Sequence, residues 1–212
     1  MRKVLPKLSP RHRRGKYLTR TLLALLLTLA AGGGLVVADR MGAFGRADTP
    51  DWTKYHNITF AVVRAVDGDT LDLQVEDGVN KRPSTRVRLW GVDTPETVKP
   101  NLKSPDHFGP EASAFTKELV VGKSVRIELE GRQSRDKYNR LLAFVYLPDG
   151  RMLNRLLVEE GYAYADPRFA HTYSAEFKRL QQEAMKSRRG LWRNVKQSDL
   201  PAYLGDKIKL DM

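Results

Sequence analysis

The sequence contains no cysteine and only four histidines among its 212 residues. The missing cysteine excludes disulfides, zinc–thiolate sites, iron–sulfur clusters and a cysteine nucleophile. The four histidines (His12, His56, His107 and His171) lack the spacing of metal ligands, and we interpret them as surface or loop residues. The cellular compartment stays open, because a domain with a sufficient hydrophobic core needs no disulfide on either side of a membrane.

Positive charge is concentrated near the N-terminus. The net charge is +12, of which residues 1–40 carry +8 and the remaining residues +4. A strongly basic chain often binds nucleic acid, but here most of the charge lies outside the region that has the pattern of a folded domain. Apolar residues make up 41% and charged residues 29%. These shares argue against a disordered chain or a polytopic membrane protein.

Residues 21–38 form an uncharged, mostly apolar run that follows a basic leader, residues 1–20. The run is just long enough to span a membrane as a helix, and a basic leader favours an N-terminus that stays in the cytoplasm. These residues therefore predict a transmembrane signal anchor. A cleaved signal peptide is the alternative, since Val36 and Ala38 have the size and spacing that signal peptidase requires. Residues 39–56 are predicted to be a linker.

The rest of the chain is predicted to be one α+β domain, residues 57–195, with a loosely ordered tail over residues 196–212. Alternating apolar residues and turn signals predict strands over residues 58–66, 70–75, 86–90, 124–129 and 141–147. Helices are predicted from Gly109 to a stop at Gly122, over residues 152–160 and over residues 173–188. A helix after the third of five short strands suggests a partly open OB-fold barrel with three packed helices.

Acidic and arginine residues follow the strands of this predicted barrel. The acidic residues are Asp67, Asp69, Asp72, Asp93 and Glu96, and the arginines are Arg86, Arg88, Arg135 and Arg140. Carboxylates without thiols suit a hard cation such as Ca²⁺ or Mg²⁺, and arginine matches phosphate oxygens with two parallel contacts. Together they suit cleavage of a phosphodiester. Taken singly, each has a structural interpretation, as a turn, a helix or turn cap, or a solvated strand face.

Four motifs occur in a fixed order and add to this interpretation. They are Asp67-Gly-Asp-Thr70, Arg88-Leu-Trp-Gly-Val-Asp-Thr-Pro-Glu-Thr97, Phe108-Gly-Pro-Glu-Ala-Ser-Ala-Phe-Thr-Lys117 and Arg135-Asp-Lys-Tyr-Asn-Arg140. Residues 60–193 closely resemble the staphylococcal (micrococcal) nuclease family, also called thermonucleases. The resemblance implies an OB-fold barrel and a Ca²⁺-dependent endonuclease that hydrolyses DNA and RNA and leaves 3′-phosphate ends.

The resemblance also implies roles for single residues. Asp69, Asp93 and the backbone carbonyl of Thr94 match the Ca²⁺ ligands, and Asp67 matches an acidic residue in the outer shell of the metal. Glu96 matches a glutamate that acts as general base or positions the attacking water.

Further matches concern the substrate. Arg88 and Arg140 match two arginines that bind phosphate, and Tyr138 matches a tyrosine that lines the nucleotide pocket. The second aromatic residue of the pocket is not matched, and Tyr164 and Phe169 are the candidates.

Two other classes of function compete with an exported nuclease. Barrels of this type also bind single-stranded nucleic acid without chemistry, and a basic leader is compatible with a membrane-surface or scaffold protein. The five residues that argue for catalysis are present together: Asp69, Arg88, Asp93, Glu96 and Arg140. We expect a monomer whose partners are DNA, RNA and, through residues 21–38, a membrane.

The anchor interpretation predicts that the intact chain is recovered in the membrane fraction and that protease digests the region after residue 38 only from the outer side. The reason is that the apolar run crosses the bilayer while the basic leader stays inside. Fractionation, protease protection and the mass of the recovered chain test this. A soluble chain that begins at Asp39 would indicate signal cleavage instead, and a cytoplasmic chain would contradict export.

Overall fold

The computed structural model describes residues 50–97, 105–131 and 133–210. The predicted leader and signal anchor, and most of the predicted linker, lie outside these residues. Within the described part of the chain, no helix is long and apolar enough to cross a membrane.

Five strands close into a barrel, in the order β1-β2-β3-β6-β5. The strands of the structure are β1 Ile58–Ala65, β2 Thr70–Leu73, β3 Thr85–Leu89, β4 Val92–Asp93, β5 Ser124–Glu128, β6 Leu141–Tyr146 and β7 Tyr164–Ala165. Neighbours in the barrel are antiparallel except for β3 and β6, which are parallel. The predicted five-stranded barrel is confirmed, but it is closed rather than partly open. The antiparallel pair of β4 and β7 was not predicted.

The barrel core follows the alternation of the sequence. Leu71 and Leu73 of β2 and Val87 of β3 are fully buried, and β5 and β6 contribute further apolar side chains to the same cluster. His171 lies in a loop, as predicted, but its ring is buried against Phe144. This continuous core holds the strands at the register that brings polar residues at their ends together.

Helices cover the barrel. They are α1 Pro50–Tyr55, α2 Gly109–Val120, α3 Leu153–Glu159, α4 Ser174–Lys186 and α5 Ala202–Gly205, with 3₁₀ turns at Gly190–Arg193 and Gln197–Asp199. The three predicted helices are α2, α3 and α4. Helix α1 falls within the predicted linker, and its last residue, Tyr55, is fully buried.

Residues 196–210, called the C-terminal segment below, pack against the domain. Leu200 and Leu204 join Trp192 and Tyr164 in a second buried cluster, and Tyr203 lies at its edge. The Gln197 side chain donates hydrogen bonds to two backbone carbonyls of the same segment. The structure therefore differs from the predicted loose tail. The helix in this segment is a single turn of four residues, too short for its apolar pattern to predict it.

Arg135 links three parts of the chain outside the barrel. Its guanidinium contacts both carboxylate oxygens of Asp51 in α1, at 2.7 and 2.8 Å, and one oxygen of Asp77 at 3.0 Å. The Arg135 side chain is only 10% exposed. Burial opposes ionisation of both aspartates, but hydrogen bonds from Arg135, Ser134 and Asn80 outweigh it and lower both pKa values. Arg135 is thus a structural residue rather than a partner of the predicted acidic cluster.

We expect Arg135→Gln to lower the free energy of unfolding at pH 7 by about 3–5 kcal/mol, because it leaves two buried carboxylates without their cation. The loss should shrink as the pH falls below about 4, because the two carboxylates become protonated first in the unfolded chain, and the stability that comes from their lowered pKa values in the folded protein then disappears. Denaturant unfolding at pH 7 and pH 3.5 measures both effects. The control is Arg179→Gln, which removes an exposed pair with Glu183 and should cost about 0.5 kcal/mol or less. Equal losses in the two variants would contradict the network's role.

Candidate functional site

Arg88 bridges two of the predicted metal ligands. From β3, its Nη1 pairs with Oδ1 of Asp69 and its Nη2 pairs with Oδ1 of Asp93 at 2.5 Å. The Arg88 side chain is 14% exposed and the Asp69 side chain only 2%. Two carboxylates from different turns therefore meet at one cation in a largely buried position, where charges interact more strongly than in bulk water.

Asp69 is held from several sides. It precedes β2, whose first residue, Thr70, pairs with Arg88 across the sheet. Its Oδ1 also accepts a hydrogen bond from the Thr70 hydroxyl at 3.1 Å, and its Oδ2 accepts one from the backbone N–H of Thr94 at 2.9 Å. The Asp69 side chain is thus held by a residue at the start of β2 and by the residue that follows β4.

Asp67 belongs to the same tight turn. Its Oδ1 accepts a hydrogen bond from the backbone N–H of Asp69 at 3.1 Å. Burial raises the pKa of Asp67, and the nearby charges of Arg88 and Arg140, together with Thr70, offset only part of that increase. The charges of both predicted phosphate-binding arginines thus act on Asp67.

Glu96 follows Asp93 and Thr94 along one surface depression, which all three residues line. The backbone N–H of Glu96 donates to Oδ2 of Asp106 at 3.2 Å, and its carbonyl accepts from the backbone N–H of Asp106 at 2.9 Å. These reciprocal bonds fix the Glu96 backbone beside Asp93, while its side chain is half-buried.

Arg140 comes directly before β6, whose first residue pairs with Val87, the neighbour of Arg88. The Nε of Arg140 donates to Oδ2 of Asp136 at 2.7 Å, and the Arg140 backbone N–H donates to the other oxygen of the same carboxylate. Tyr138, on the same loop, is 66% exposed, with its ring 5.5 Å from the Arg140 guanidinium carbon. The loop thus presents a positive charge and an accessible aromatic ring together.

Several residues of the predicted cluster lie elsewhere. Asp72 pairs with Arg64 and Arg86 on the outside of the barrel. Of the two candidates for a second aromatic, Tyr164 is buried edge-on against Trp192, although it also lines the depression, and Phe169 is 59% exposed on a different groove. Asp72, Arg86 and Arg135 therefore stabilise the fold around the site.

The prediction missed two residues that reach Asp93. The Tyr203 hydroxyl donates a hydrogen bond to Oδ2 of Asp93 at 2.7 Å, and Nη2 of Arg168 lies 3.3 Å from the same oxygen. Burial and the negative charge of Asp93 raise the pKa of Tyr203 above its usual range. No motif or spacing pointed to either residue. The Arg168 contact depends on the pairing of β7 with β4, and the Tyr203 contact depends on how the C-terminal segment packs.

The donors suit a hard cation. Among residues 50–97, 105–131 and 133–210 there is no cluster of three or more His, Asp or Glu side chains that could hold a metal ion. The predicted ligand set, however, has only two side chains, Asp69 and Asp93, and a backbone oxygen of Thr94. Arg88 already draws the two carboxylates together around one positive charge, and oxygen donors of this kind are those that Ca²⁺ prefers.

Comparison with known proteins decides the family. A family model described as "Staphylococcal nuclease homologue" matches residues 86–194, about half of the chain. The chain belongs to the staphylococcal nuclease family. It is 39% identical over 137 residues to a thermonuclease of Staphylococcus hyicus and 41% identical over 137 residues to one of Staphylococcus intermedius. These matches span 64% and 63% of this chain, and 76% of each relative.

A third relative is endonuclease YncB of Bacillus subtilis, 36% identical over 156 residues, which are 69% of this chain and 68% of that protein. Within the staphylococcal nuclease family model fall Arg88, Asp93, Glu96 and Arg140, whereas Asp69 precedes the matched range and Tyr203 follows it. The family match thus covers these four predicted site residues, and the structure adds the contacts of Asp69 and Tyr203, which lie outside the matched range.

The contact between the turn at Gly68 and Thr94 leads to a prediction. A Cβ at Gly68 would lie 2.7 Å from Oγ1 and 2.9 Å from Cβ of the buried Thr94. We expect Gly68→Ala to lower the free energy of unfolding by about 1–3 kcal/mol, because Thr94 must shift away from Asp69. Denaturant unfolding measures this.

The matched control is Gly78→Ala, in an exposed turn where nothing lies within 4 Å of the added methyl. It should be neutral or slightly stabilising. A Gly68→Ala variant as stable as the control would show that Thr94 is not tightly packed against this turn.

Proposed function

We propose that the chain is an exported endonuclease that uses Ca²⁺ to hydrolyse phosphodiester bonds of DNA and RNA and leaves 3′-phosphate ends. The observation that carries the proposal is the double ion pair of Arg88 with Asp69 and Asp93. It joins a phosphate-binding side chain to two oxygen ligands at one point. The names of the relatives, thermonuclease and endonuclease, support the same chemistry.

Different residues would bind the metal ion and stabilise the transition state. Asp69, Asp93 and the Thr94 carbonyl would hold Ca²⁺, which when bound supplies positive charge that polarises the phosphate and offsets the carboxylates. Arg88, fixed between those carboxylates, and Arg140 would stabilise the negative charge that builds on the phosphate oxygens. Both are rigidly held, which favours stabilisation of the transition state because little reorganisation is needed.

Glu96 would act on the attacking water, as general base or by orienting it. Its backbone is fixed next to Asp93, and its side chain lines the same depression. Tyr138 would pack against the nucleotide, because its exposed ring offers an apolar face beside the charge of Arg140. A non-catalytic binding module is less favoured, since such a module has no need for two carboxylates, one of them buried, beside a phosphate-binding arginine.

Placement outside the cytoplasm is supported by the basic leader and the apolar residues 21–38. Two carboxylates and a carbonyl form a site of low charge, which binds Ca²⁺ only in about the millimolar range. Extracellular Ca²⁺ would fill such a site, whereas the cytosol would leave it empty. Export would also separate the enzyme from the nucleic acid of its own cell.

The test uses the full chain purified in mild detergent, with plasmid DNA and single-stranded RNA as substrates. We expect Ca²⁺ to support cleavage of both, and Mg²⁺ or chelator to support little or none. Product DNA should resist extension by a polymerase until a phosphatase removes its 3′-phosphate.

We expect Arg88→Lys to lower kcat by about 100-fold or more, because lysine keeps the charge but loses the two-pronged contact to the phosphate.

Arg86→Lys is the matched control, two residues away on β3 and paired with Asp72 outside the site. It should keep its activity. Full activity in Mg²⁺ with Ca²⁺ chelated would overturn the metal assignment. Equal activity of the two lysine variants would mean that Arg88 serves the fold only, and nucleic-acid binding without cleavage under every condition would favour the binding module.

A further inference from the structure

The C-terminal segment reaches the candidate metal site through one side chain. Tyr203, the second residue of α5, donates its hydroxyl to Oδ2 of Asp93 at 2.7 Å, although the two residues are 110 positions apart. A phenol is protonated at neutral pH, so it acts as the donor and the carboxylate as the acceptor. Tyr203 lies beyond residue 194, where the family match ends.

Tyr203 is itself held in place from two sides. The Arg168 guanidinium lies 4.0 Å from the centre of its ring, a cation–π contact. Arg168 is in turn fixed by two hydrogen bonds to Asp166, at 2.7 and 2.8 Å. The next residue, Leu204, is buried in the second apolar cluster, which anchors the backbone of the segment. The Arg168 contact and the buried Leu204 therefore hold the ring of Tyr203 in place, and with it the hydroxyl.

The two oxygens of Asp93 are consequently held by different parts of the molecule. Arg88 of β3 contacts Oδ1, while Tyr203 of α5, with Arg168 at 3.3 Å, contacts Oδ2. Rotation of the carboxylate would break contacts on both sides. Tyr203 thus leaves Oδ1 directed to the side where Arg88 and Asp69 meet.

We propose that Tyr203 is a positioning residue for Asp93, so that the C-terminal segment is a working part of the metal site. The inference rests on the proposed function, in which Asp93 is a Ca²⁺ ligand. Hydrogen bonds that orient a metal ligand commonly change metal affinity by about 10–100-fold. Tyr203 touches neither substrate nor reacting atoms in this assignment, and its effect passes through the orientation of Asp93.

The test is Ca²⁺ binding by Tyr203→Phe in the full chain, measured by isothermal titration calorimetry without substrate. The variant keeps the ring under Arg168 and loses only the hydroxyl. We expect its Kd for Ca²⁺ to rise by about 10-fold. The Ca²⁺ concentration for half-maximal cleavage should rise in parallel, while kcat at saturating Ca²⁺ and KM for DNA stay close to the wild-type values.

The matched control is Tyr146→Phe. Tyr146 also lies under an arginine, with Arg126 at 3.9 Å, and its hydroxyl is hydrogen-bonded to that of Tyr173, none of them a candidate site residue. Melting temperatures in chelator report the structural cost of each lost hydroxyl. We expect both variants to melt at or slightly below the wild-type temperature, and only Tyr203→Phe to lose Ca²⁺ affinity.

Two outcomes overturn the inference and are distinct from failure of the proposed function. If the wild type binds Ca²⁺, Asp93→Asn abolishes binding and Tyr203→Phe binds like the wild type, the hydroxyl has no positioning role. If Tyr203→Phe binds Ca²⁺ more tightly or cleaves faster, the segment restrains the site instead. If the wild type itself binds no Ca²⁺, the metal assignment fails, and the inference falls with it.

Discussion

The guanidinium of Arg88 is the point on which the rest of the site depends. It holds Asp69 and Asp93 against each other in a largely buried place, where two carboxylates without a cation between them would repel strongly. The barrel makes this possible, because the pairing of Thr70 with Arg88 across β2 and β3 sets Asp69 beside β3. Strand β4 then returns Asp93 to the same arginine after a tight turn.

Polar networks hold the surroundings of the site from opposite ends of the domain. Arg135 ties α1 to the loop that carries Tyr138 and Arg140, and Arg168 supports Tyr203 against Asp93. Each network adds polar contacts to a segment that lies outside the barrel. The site is thus rigid because ion pairs hold what the barrel core does not reach, at the expense of burying several charges.

The domain is accordingly larger than its barrel and three helices. Helix α1 adds the buried ring of Tyr55 at one end, and the C-terminal segment adds Leu200 and Leu204 at the other. Both additions bring a charged or polar side chain to the region around the site, namely Asp51 and Tyr203. They differ in how directly they reach the site. Asp51 pairs with Arg135, next to the loop that carries Tyr138 and Arg140, whereas Tyr203 contacts Asp93 itself.

Local pattern predicted most of the fold, and four ordered motifs that resemble a known family indicated the middle of the site. Alternation in β2 and β3 and the motifs around Asp69, Arg88 and Asp93 were readable because their residues lie within a few positions of one another. Only the tertiary structure decided which charges meet. Residue type grouped Arg86 and Arg135 with Arg88. Arg86 and Arg88 share one face of β3, but Arg86 lies opposite Asp72 and pairs with it, whereas Arg88 reaches Asp69 and Asp93, and Arg135 turns to α1. The contact of Tyr203 with Asp93 joins residues far apart in the chain, and such a contact leaves no spacing to read.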